Sequence, residues 1–474
     1  MPPVVALAIF ALMIAGMFYL DRERESCSPA VWISVIWIGI GASRMVSQWL
    51  GGGPQLDSPD QYLEGSPMDR VILGALVAAA LSVLISRFGR TSRFVSINLP
   101  IVIFFVYCAI SVVWSDFPMV AFKRWTKALG NIAVVLVVLT DPKPVVAIRR
   151  LFTRTAFLLI PLSILLIKYY PHLGRGYNRW SWMPYYTGVT TEKNALGALC
   201  LVFGLGSFWQ LVRAYRSSET LNRGRHFIAH GMLLVMNIYV LALADSATSL
   251  ACFVLGALMI VITSGRKYQR VGRIHAVVSV MLVVGLAMYF LQDVFASIVG
   301  ALGRDTTLTG RTEIWSELFA MTFNPVLGTG FESFWLGSRA EYMWNKYYFH
   351  PNQAHNGYIE TYINLGYVGV ALLLLSIVWG YRNVVKSFRY RVEEAPLKLA
   401  FLIVALIYNM TEAAFKVMHP VWIAFLFATL LPELAPSTKE ATDEIEETAQ
   451  ADNEQLASVP EAQPTPNPES AFLY

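Results

Sequence analysis

Charge is scarce in this chain of 474 residues. Asp, Glu, Lys and Arg together make up 15%, where a soluble protein carries about 25%. That scarcity excludes an ordinary soluble enzyme of this size. Cysteine is scarce as well: Cys27, Cys108, Cys200 and Cys252 are scattered without metal-ligand spacing, and three of them lie in apolar runs. They read as small buried hydrophobes, so neither a disulfide framework nor a metal site is expected. No P-loop and no dinucleotide fingerprint occurs, and no nucleotide or other cofactor is expected. There is no visible internal repeat. The formal net charge of +5 is small, and the bases lie in loops between apolar runs. Nucleic acid is therefore not an expected partner, and the bases look like topology signals.

What is abundant is apolar sequence. Hydrophobic residues make up 55% of the chain, in runs of roughly the ~20 residues that cross a bilayer as a helix. The expected fold is an all-α, polytopic membrane protein of about 12–13 transmembrane helices. The lipid bilayer is thus the first partner. The N-terminal run, Pro3–Leu20, lacks a basic leader and a clear cleavage site, and reads as a span, the least certain of the set. The last two runs, 398–408 and 421–431, are short enough to form one interrupted re-entrant unit. Residues 1–432 are expected as one membrane domain. Residues 433–474 are acidic and rich in Pro, Ala, Thr and Ser, and read as a disordered cytoplasmic tail.

Lys and Arg sort the loops. Arg87, Arg90 and Arg93, then Lys143, Arg149 and Arg150, then Arg213, Arg216, Arg223 and Arg225, then Arg266 to Arg273, then Arg382 to Arg391 fall in alternate loops. By the positive-inside rule these are cytoplasmic. Loops 51–69, 170–193 and 293–357 and the turns at 244–246 and 409–420 then face outward. Lys123, Arg124 and Lys127 break the pattern, and are expected either to be functional or to touch lipid headgroups along an interfacial helix.

The polar stretch 303–369 is the one around which the chain is organised. It gathers Arg304, Arg311, Arg339, Glu313, Glu332, His350 and His355 beside the membrane. The run from Thr309 reads as an amphipathic helix ending at Asn324-Pro325. Its spacing sets Arg311 and Trp315 on an interface-facing side. Gly328-Thr329-Gly330 reads as an ordinary turn whose amides are also placed for phosphate oxygens. Histidine can take a proton near neutral pH, but His355 alone reads as a surface-loop residue. Loop 170–193 interleaves Arg175, Arg179 and Lys193 with Tyr177, Trp180 and further aromatics. That pattern suits an anionic glycan, and equally an interfacial aromatic belt. Glu412 has Lys416 one helical turn later, a simple ion pair or else a carboxylate that orients a catalytic Arg or His. Arg44 is expected to snorkel.

The string GRTEIWSELF, NPVLGTGFESF, HNGYIETYINLGYVG resembles the signature of the O-antigen ligase and polymerase superfamily of bacterial envelope glycosyltransferases. The resemblance spans roughly residues 194–420. HLGRGYNRWSWMPYYTGVTTEKNALG and YNMTEAAF are similar to its exopolysaccharide polymerase branch, of the succinoglycan type. The resemblance implies a C-type glycosyltransferase-like membrane fold with a large periplasmic loop, here 293–357. It implies metal-independent, inverting transfer from an undecaprenyl-diphosphate-linked glycan in the bacterial inner membrane, with the site facing the periplasm. It places the essential arginine on Arg311 and the essential histidine, as general base, on His355. Arg175, Arg179, Lys193, Arg339, Glu412, Trp180 and Tyr177 are the expected substrate-binding residues. A chain-length regulator and export proteins are candidate partners. One departure stands out: many relatives carry a base between Ser and Thr or Gly after the span ending near 244, where this chain has Ser246-Ala247-Thr248. Polymerisation of lipid-linked repeat units is the expected function. Ligation of finished polymer to lipid A core or protein is the rival within the class, and a transporter or flippase the rival outside it.

Overall fold

The computed structural model describes residues 1–22, 25–51, 65–177, 183–216, 220–265, 270–300, 309–347, 349–390 and 392–431. The acidic tail and Arg304 lie outside the described residues.

The fold is all-α and polytopic. In chain order the helices are α1 (Pro3–Leu20), α2 (Val31–Gly41), α3 (Pro67–Ser86), α4 (Phe88–Ile97), α5 (Leu99–Ile110), α6 (Pro118–Leu139), α7 (Pro144–Tyr169) and α8 (Lys193–Arg216). Then come α9 (Thr220–Ala244), α10 (Ala247–Thr263), α11 (Val271–Gly300), α12 (Thr309–Ala320), α13 (Gly337–Lys346), α14 (Gly357–Arg389), α15 (Ala395–Tyr408) and α16 (Pro420–Thr429). A two-stranded antiparallel hairpin, β1 (Arg175–Tyr177) and β2 (Pro184–Tyr186), sits in the loop after α7, with Arg175 opposite Tyr186. Proline opens α1, α3, α5, α6, α7, α15 and α16 at the first or second helical position. There its missing N–H costs nothing and its fixed φ suits the helix.

Six described helices are long and apolar enough to cross a bilayer: α1, α3, α7, α8, α9 and α14. The pair α4 and α5, extended to Trp114, is bent by 91° and could make a seventh span. Five shorter apolar helices complete the set, among them α2, α10, α15 and α16. Among the described residues the candidate spans are thus of unequal length, long helices together with several short ones. α7 and α8 are largely buried, and α15 and α16 almost wholly so, while α1 and α3 turn most of their apolar side chains outward. Outward-facing Val4, Leu12, Val71, Ile85, Val235 and Val378 suit contact with lipid. α11 continues through Asp293 to Gly300. No Pro or Gly interrupts 286–299, so the polar connection begins later than expected.

The loops segregate by charge as the alternation requires. Arg87 pairs with Asp141 at 3.5 Å, Arg150 with Asp21 at 3.4 Å, and Arg213 with Glu393, all at one end. Asp21 also meets His226 at 2.9 Å and His230 at 3.2 Å, which ties the end of α1 to α9. The opposite end carries the polar stretch.

At that end α14 is broken. Gly366 sits at φ 62°, ψ −167°, and frees backbone groups on both sides of the break. In an apolar interior such groups must find partners. Segment 325–330 supplies them: Tyr367 N donates to Pro325 O at 2.9 Å, and Val368 N to Val326 O at 3.2 Å. In return Thr329 N donates to Ile363 O at 3.1 Å, and Gly330 N to Asn364 O at 2.9 Å. Gly328 N bonds Asn324 O at 2.8 Å. The amides of the Gly-Thr-Gly turn are therefore used in packing and are not available to phosphate oxygens.

Residues 309–363 build a small core of their own from Ile314, Leu318, Phe334, Met343, Ala354 and Ile363. Trp315 joins it and donates to Ala354 O at 2.7 Å, so this side of α12 packs inward instead of facing lipid; Phe319 remains exposed.

A Cβ at residue 366 would lie 2.2 Å from Val326 O, at a φ that L side chains avoid. Gly366→Ala should therefore destabilise the fold by at least about 1–3 kcal/mol. Gly74→Ala, where the Cβ meets nothing within 4 Å, should be neutral or stabilising. Thermal unfolding in detergent measures both, and equal melting temperatures would contradict the account of the break.

Candidate active site

Three stretches distant in sequence meet at the end that carries the polar stretch: the start of α12, the turn before α14, and the connection 409–419 between α15 and α16. Asn409 shapes that connection. Its side-chain oxygen accepts from Ala414 N at 2.9 Å and Phe415 N at 2.8 Å, closing a turn in place of further helix. Its backbone oxygen accepts from Gly357 N at 2.8 Å. Asn356 Nδ2 donates to Met410 O at 3.0 Å, while Asn356 Oδ1 caps α14 by accepting from Tyr358 N and Ile359 N. A Cβ at position 357 would fall 1.9 Å from Asn409 Oδ1, so only glycine permits this approach. The segment is not helical, and Glu412 does not pair with Lys416 as a helical spacing would have it.

Glu412 instead pairs with the two residues that sequence reasoning placed at the centre. Arg311 Nη2 donates to Glu412 Oε1 at 3.1 Å, and Arg311 Nη1 to Thr411 O at 2.6 Å. His355 Nδ1 lies 3.2 Å from Glu412 Oε2. Asn194 Nδ2, in the first turn of α8, donates to Glu412 Oε1 at 3.2 Å. A carboxylate that is 9% exposed and holds three such groups around it is a fixed point. His355 itself has φ 49°, a left-handed conformation rare outside glycine. Its neighbour Ala354 is held by Glu360, which accepts from Ala354 N at 2.8 Å and from Trp335 Nε1 at 2.8 Å.

The partner on Nδ1 leaves Nε2 of His355 as the nitrogen for a proton acceptor, because a carboxylate fixes the N–H on its own side. His419 is no rival base. It is buried, which pushes its pKa down to about 4, with the Lys416 charge acting the same way. Its Nδ1 accepts from Val421 N.

The other expected site residues are placed as follows. Lys193 lies 3.7 Å from Asp245 and is adjacent to Asn194. Arg175 donates to Ile167 O at 2.9 Å and stacks over Tyr186 at 5.7 Å. Tyr177 is exposed at the end of β1. Arg339 donates to Asp116 at 2.6 Å and to Phe334 O at 3.2 Å, on the flank of the lobe. No contact described for Arg175 or Arg339 reaches the Arg311–Glu412–His355 group. Arg179 and Trp180 lie outside the described residues. Arg44 does not snorkel: it donates to Thr190 O at 3.1 Å and to Leu173 O, and stacks on Trp49. Ala247 opens α10 beside the site, since Thr248 Oγ1 lies 3.0 Å from Thr411 Oγ1.

Sequence reasoning missed Asn194, Thr248, Asn409, Thr411 and Glu360. A polar residue inside an apolar run was the available signal for Asn194 and Asn409. Removing the Glu412 carboxylate should cost about 1.5–3 kcal/mol, because charged hydrogen bonds at a nearly buried site are lost. Glu412→Ala should thus melt lower than wild type in detergent; an unchanged melting temperature would mean the cluster does not hold the three stretches together.

Residues 232–374 match a family model described as O-Antigen ligase. That match contains Arg311, His355 and Glu360; Glu412 lies beyond it. The chain is also similar to the Exopolysaccharide production protein ExoQ of Rhizobium meliloti (strain 1021), with 24% identity over 327 residues, 67% of this chain and 72% of that protein. The motifs, the all-α membrane fold and these matches agree: the chain is similar to the O-antigen ligase and polymerase superfamily, and within it to the exopolysaccharide branch.

Proposed function

We propose that this protein is an inverting glycosyltransferase that lengthens undecaprenyl-diphosphate-linked repeat units into exopolysaccharide or O-antigen at the periplasmic face of a bacterial inner membrane. The observation that carries the reading is the single carboxylate of Glu412 between Arg311 and His355. A base, a phosphate-binding cation and the group that orients both stand together, on stretches about 40 and 100 residues apart in sequence. The similarity to an exopolysaccharide production protein supports the substrate class.

In this mechanism His355 Nε2 accepts the proton of an acceptor sugar hydroxyl. That oxygen attacks the anomeric carbon from the face opposite the diphosphate, and the glycosyl–oxygen bond to the carrier breaks with its electron pair on the diphosphate. Glu412 holds the imidazole in the useful tautomer and stabilises the imidazolium that forms. Arg311 uses two of its five N–H groups on Glu412 and Thr411, and the rest face the leaving diphosphate, whose growing charge they stabilise. Diphosphate is a good leaving group, so positioning carries much of the rate. The Ala247 departure places more of the phosphate contact on Arg311 and Lys193.

The test is purified protein in nanodiscs, supplied with lipid-linked repeat units alone and read by gel. Wild type should lengthen them. His355→Ala should lose about 10²–10⁴-fold in rate with normal folding. Arg311→Lys should also fail, because an ammonium cannot reproduce the guanidinium fork. Elongation that survives in both variants would overturn the assignment. Transfer only after a core lipid or protein acceptor is added would establish the ligase reading in its place.

A further inference from the structure

The end of the bundle away from the polar stretch holds a cluster that glycosyl transfer does not use. Asp21 closes the C-terminal end of α1, and His226 and His230 stand one turn apart on α9. That spacing sets both imidazoles on one helix face. The two rings lie nearly parallel, with planes 19° apart and centroids at 6.5 Å. Both reach the same atom: His226 Nδ1 lies 2.9 Å and His230 Nε2 3.2 Å from Asp21 Oδ1. Among the described residues this is the one group of three His, Cys, Asp or Glu whose donor atoms all lie within 4.8 Å of one another.

The surroundings suit a cation. Asp21 and His230 are buried and His226 is half-buried, so little water competes for them. Arg150 Nη1 donates to Asp21 O at 2.9 Å and lies 3.4 Å from Asp21 Oδ2. It thus holds one side of the carboxylate and leaves Oδ1 to the imidazoles, as hydrogen bonds to a ligating carboxylate do in metal sites. The C-terminal end of α1 carries the negative end of the helix dipole, which favours positive charge there. Phe157 packs on His230 at 5.6 Å, and Phe18 on Phe157 at 5.6 Å. An apolar shell of this kind keeps the local dielectric low and strengthens attraction between ligand and metal. His230 Nδ1 is buried with no hydrogen-bond partner among the described residues. A second-shell bond at that nitrogen is worth about 10–100-fold in affinity, so a micromolar site is expected here, not a nanomolar one.

We propose that Asp21, His226 and His230 bind a divalent transition metal of the Zn²⁺ class, which staples α1 to α9. Two ring nitrogens and one carboxylate oxygen suit such a cation, whereas Mg²⁺ and Ca²⁺ take oxygen ligands. Tetrahedral Zn²⁺ with bonds of about 2.0–2.1 Å spaces its ligand atoms about 3.3 Å apart, close to the separations at Asp21 Oδ1. The ring protons that neutral imidazoles donate to Asp21 move to the far nitrogens when the metal binds, and water takes the fourth position. The role is structural. α1 buries only Ala6 and Met17 along its length, so its attachment to the bundle leans on this end. The inference is independent of the glycosyl-transfer reading, and the metal takes no part in that chemistry.

The test uses tag-free, full-length protein in detergent, stripped with EDTA and titrated with ZnCl₂ by calorimetry, with thermal unfolding followed in parallel. Wild type should bind one equivalent with a Kd of about 1–10 μM. It should melt about 2 °C or more higher in ~100 μM Zn²⁺, and Mg²⁺ at the same concentration should change nothing. His226→Gln and Asp21→Asn should each weaken that equivalent by about tenfold or more and lose the rise in melting temperature. His226 is the most exposed ligand, so its variant keeps the test valid should Asp21→Asn fail to fold. His275→Gln, on α11 against Tyr381, should keep both the equivalent and the rise. No zinc bound by wild type at ~100 μM, an unaltered equivalent in His226→Gln, or binding without a rise in melting temperature would each overturn the proposal. An equal effect of Mg²⁺ would overturn it too, since the imidazoles would then have no part.

Discussion

A nearly buried carboxylate must be paired, and the Glu412 side chain is paired with groups from three other parts of the chain. Leaving such a charge uncompensated is costly, so the fold at this end is constrained to bring Arg311, His355 and Asn194 to it. The connection that carries Glu412 exists because α15 and α16 are short. At 14 and 10 residues, neither reaches the ~30 Å of a hydrocarbon core. The gap between them exposes backbone groups, and Asn409, Asn356 and Gly357 meet that need. The same hydrogen bonds that satisfy the gap thus dock the histidine turn against it.

The break in α14 obeys the same rule. Gly366 interrupts the helix, segment 325–330 fills the interruption, and the lobe built on α12 and α13 is anchored by it. Glu360, on the first turn of α14, then ties Ala354 and Trp335 into place. Five described non-glycine residues adopt left-handed backbone: Asp245, Glu332, His350, His355 and Met418. All border this end of the molecule, either at the Arg311–Glu412–His355 group, in the lobe, or in the 409–419 connection. Local strain collects where irregular backbone is held by tertiary contacts and not by helix hydrogen bonding.

Much of this was legible in the sequence, and for physical reasons. Long apolar runs and alternating basic loops report the bilayer directly, and the ion pairs at Asp21, Asp141 and Glu393 sit where the alternation puts the basic end. Arg311 and His355 stood out through the resemblance that their motifs carry, since His355 by its position alone reads as a surface-loop residue. Tertiary pairing was legible only as alternatives, with Glu412 open either to Lys416 or to an Arg or His. The spacing of Glu412 and Lys416 fits a helix, but Asn409 turns the chain and sends the carboxylate elsewhere. Lys123, Arg124 and Lys127 look like headgroup contacts until α3 and the 409–419 connection are packed beside them. The Gly-Thr-Gly amides look available until the α14 break takes them. In each case a local pattern was overridden by a partner far away in the chain.

The central claim is that Glu412 acts through His355, as one unit and not as an independent contributor. A double-mutant cycle on elongation rate measures this directly, using His355→Ala, Glu412→Gln and the combined variant. Groups that work as a unit are strongly non-additive, so the double variant should be no slower than His355→Ala alone. Losses that multiply across the cycle would contradict the account, because the carboxylate would then contribute without the imidazole.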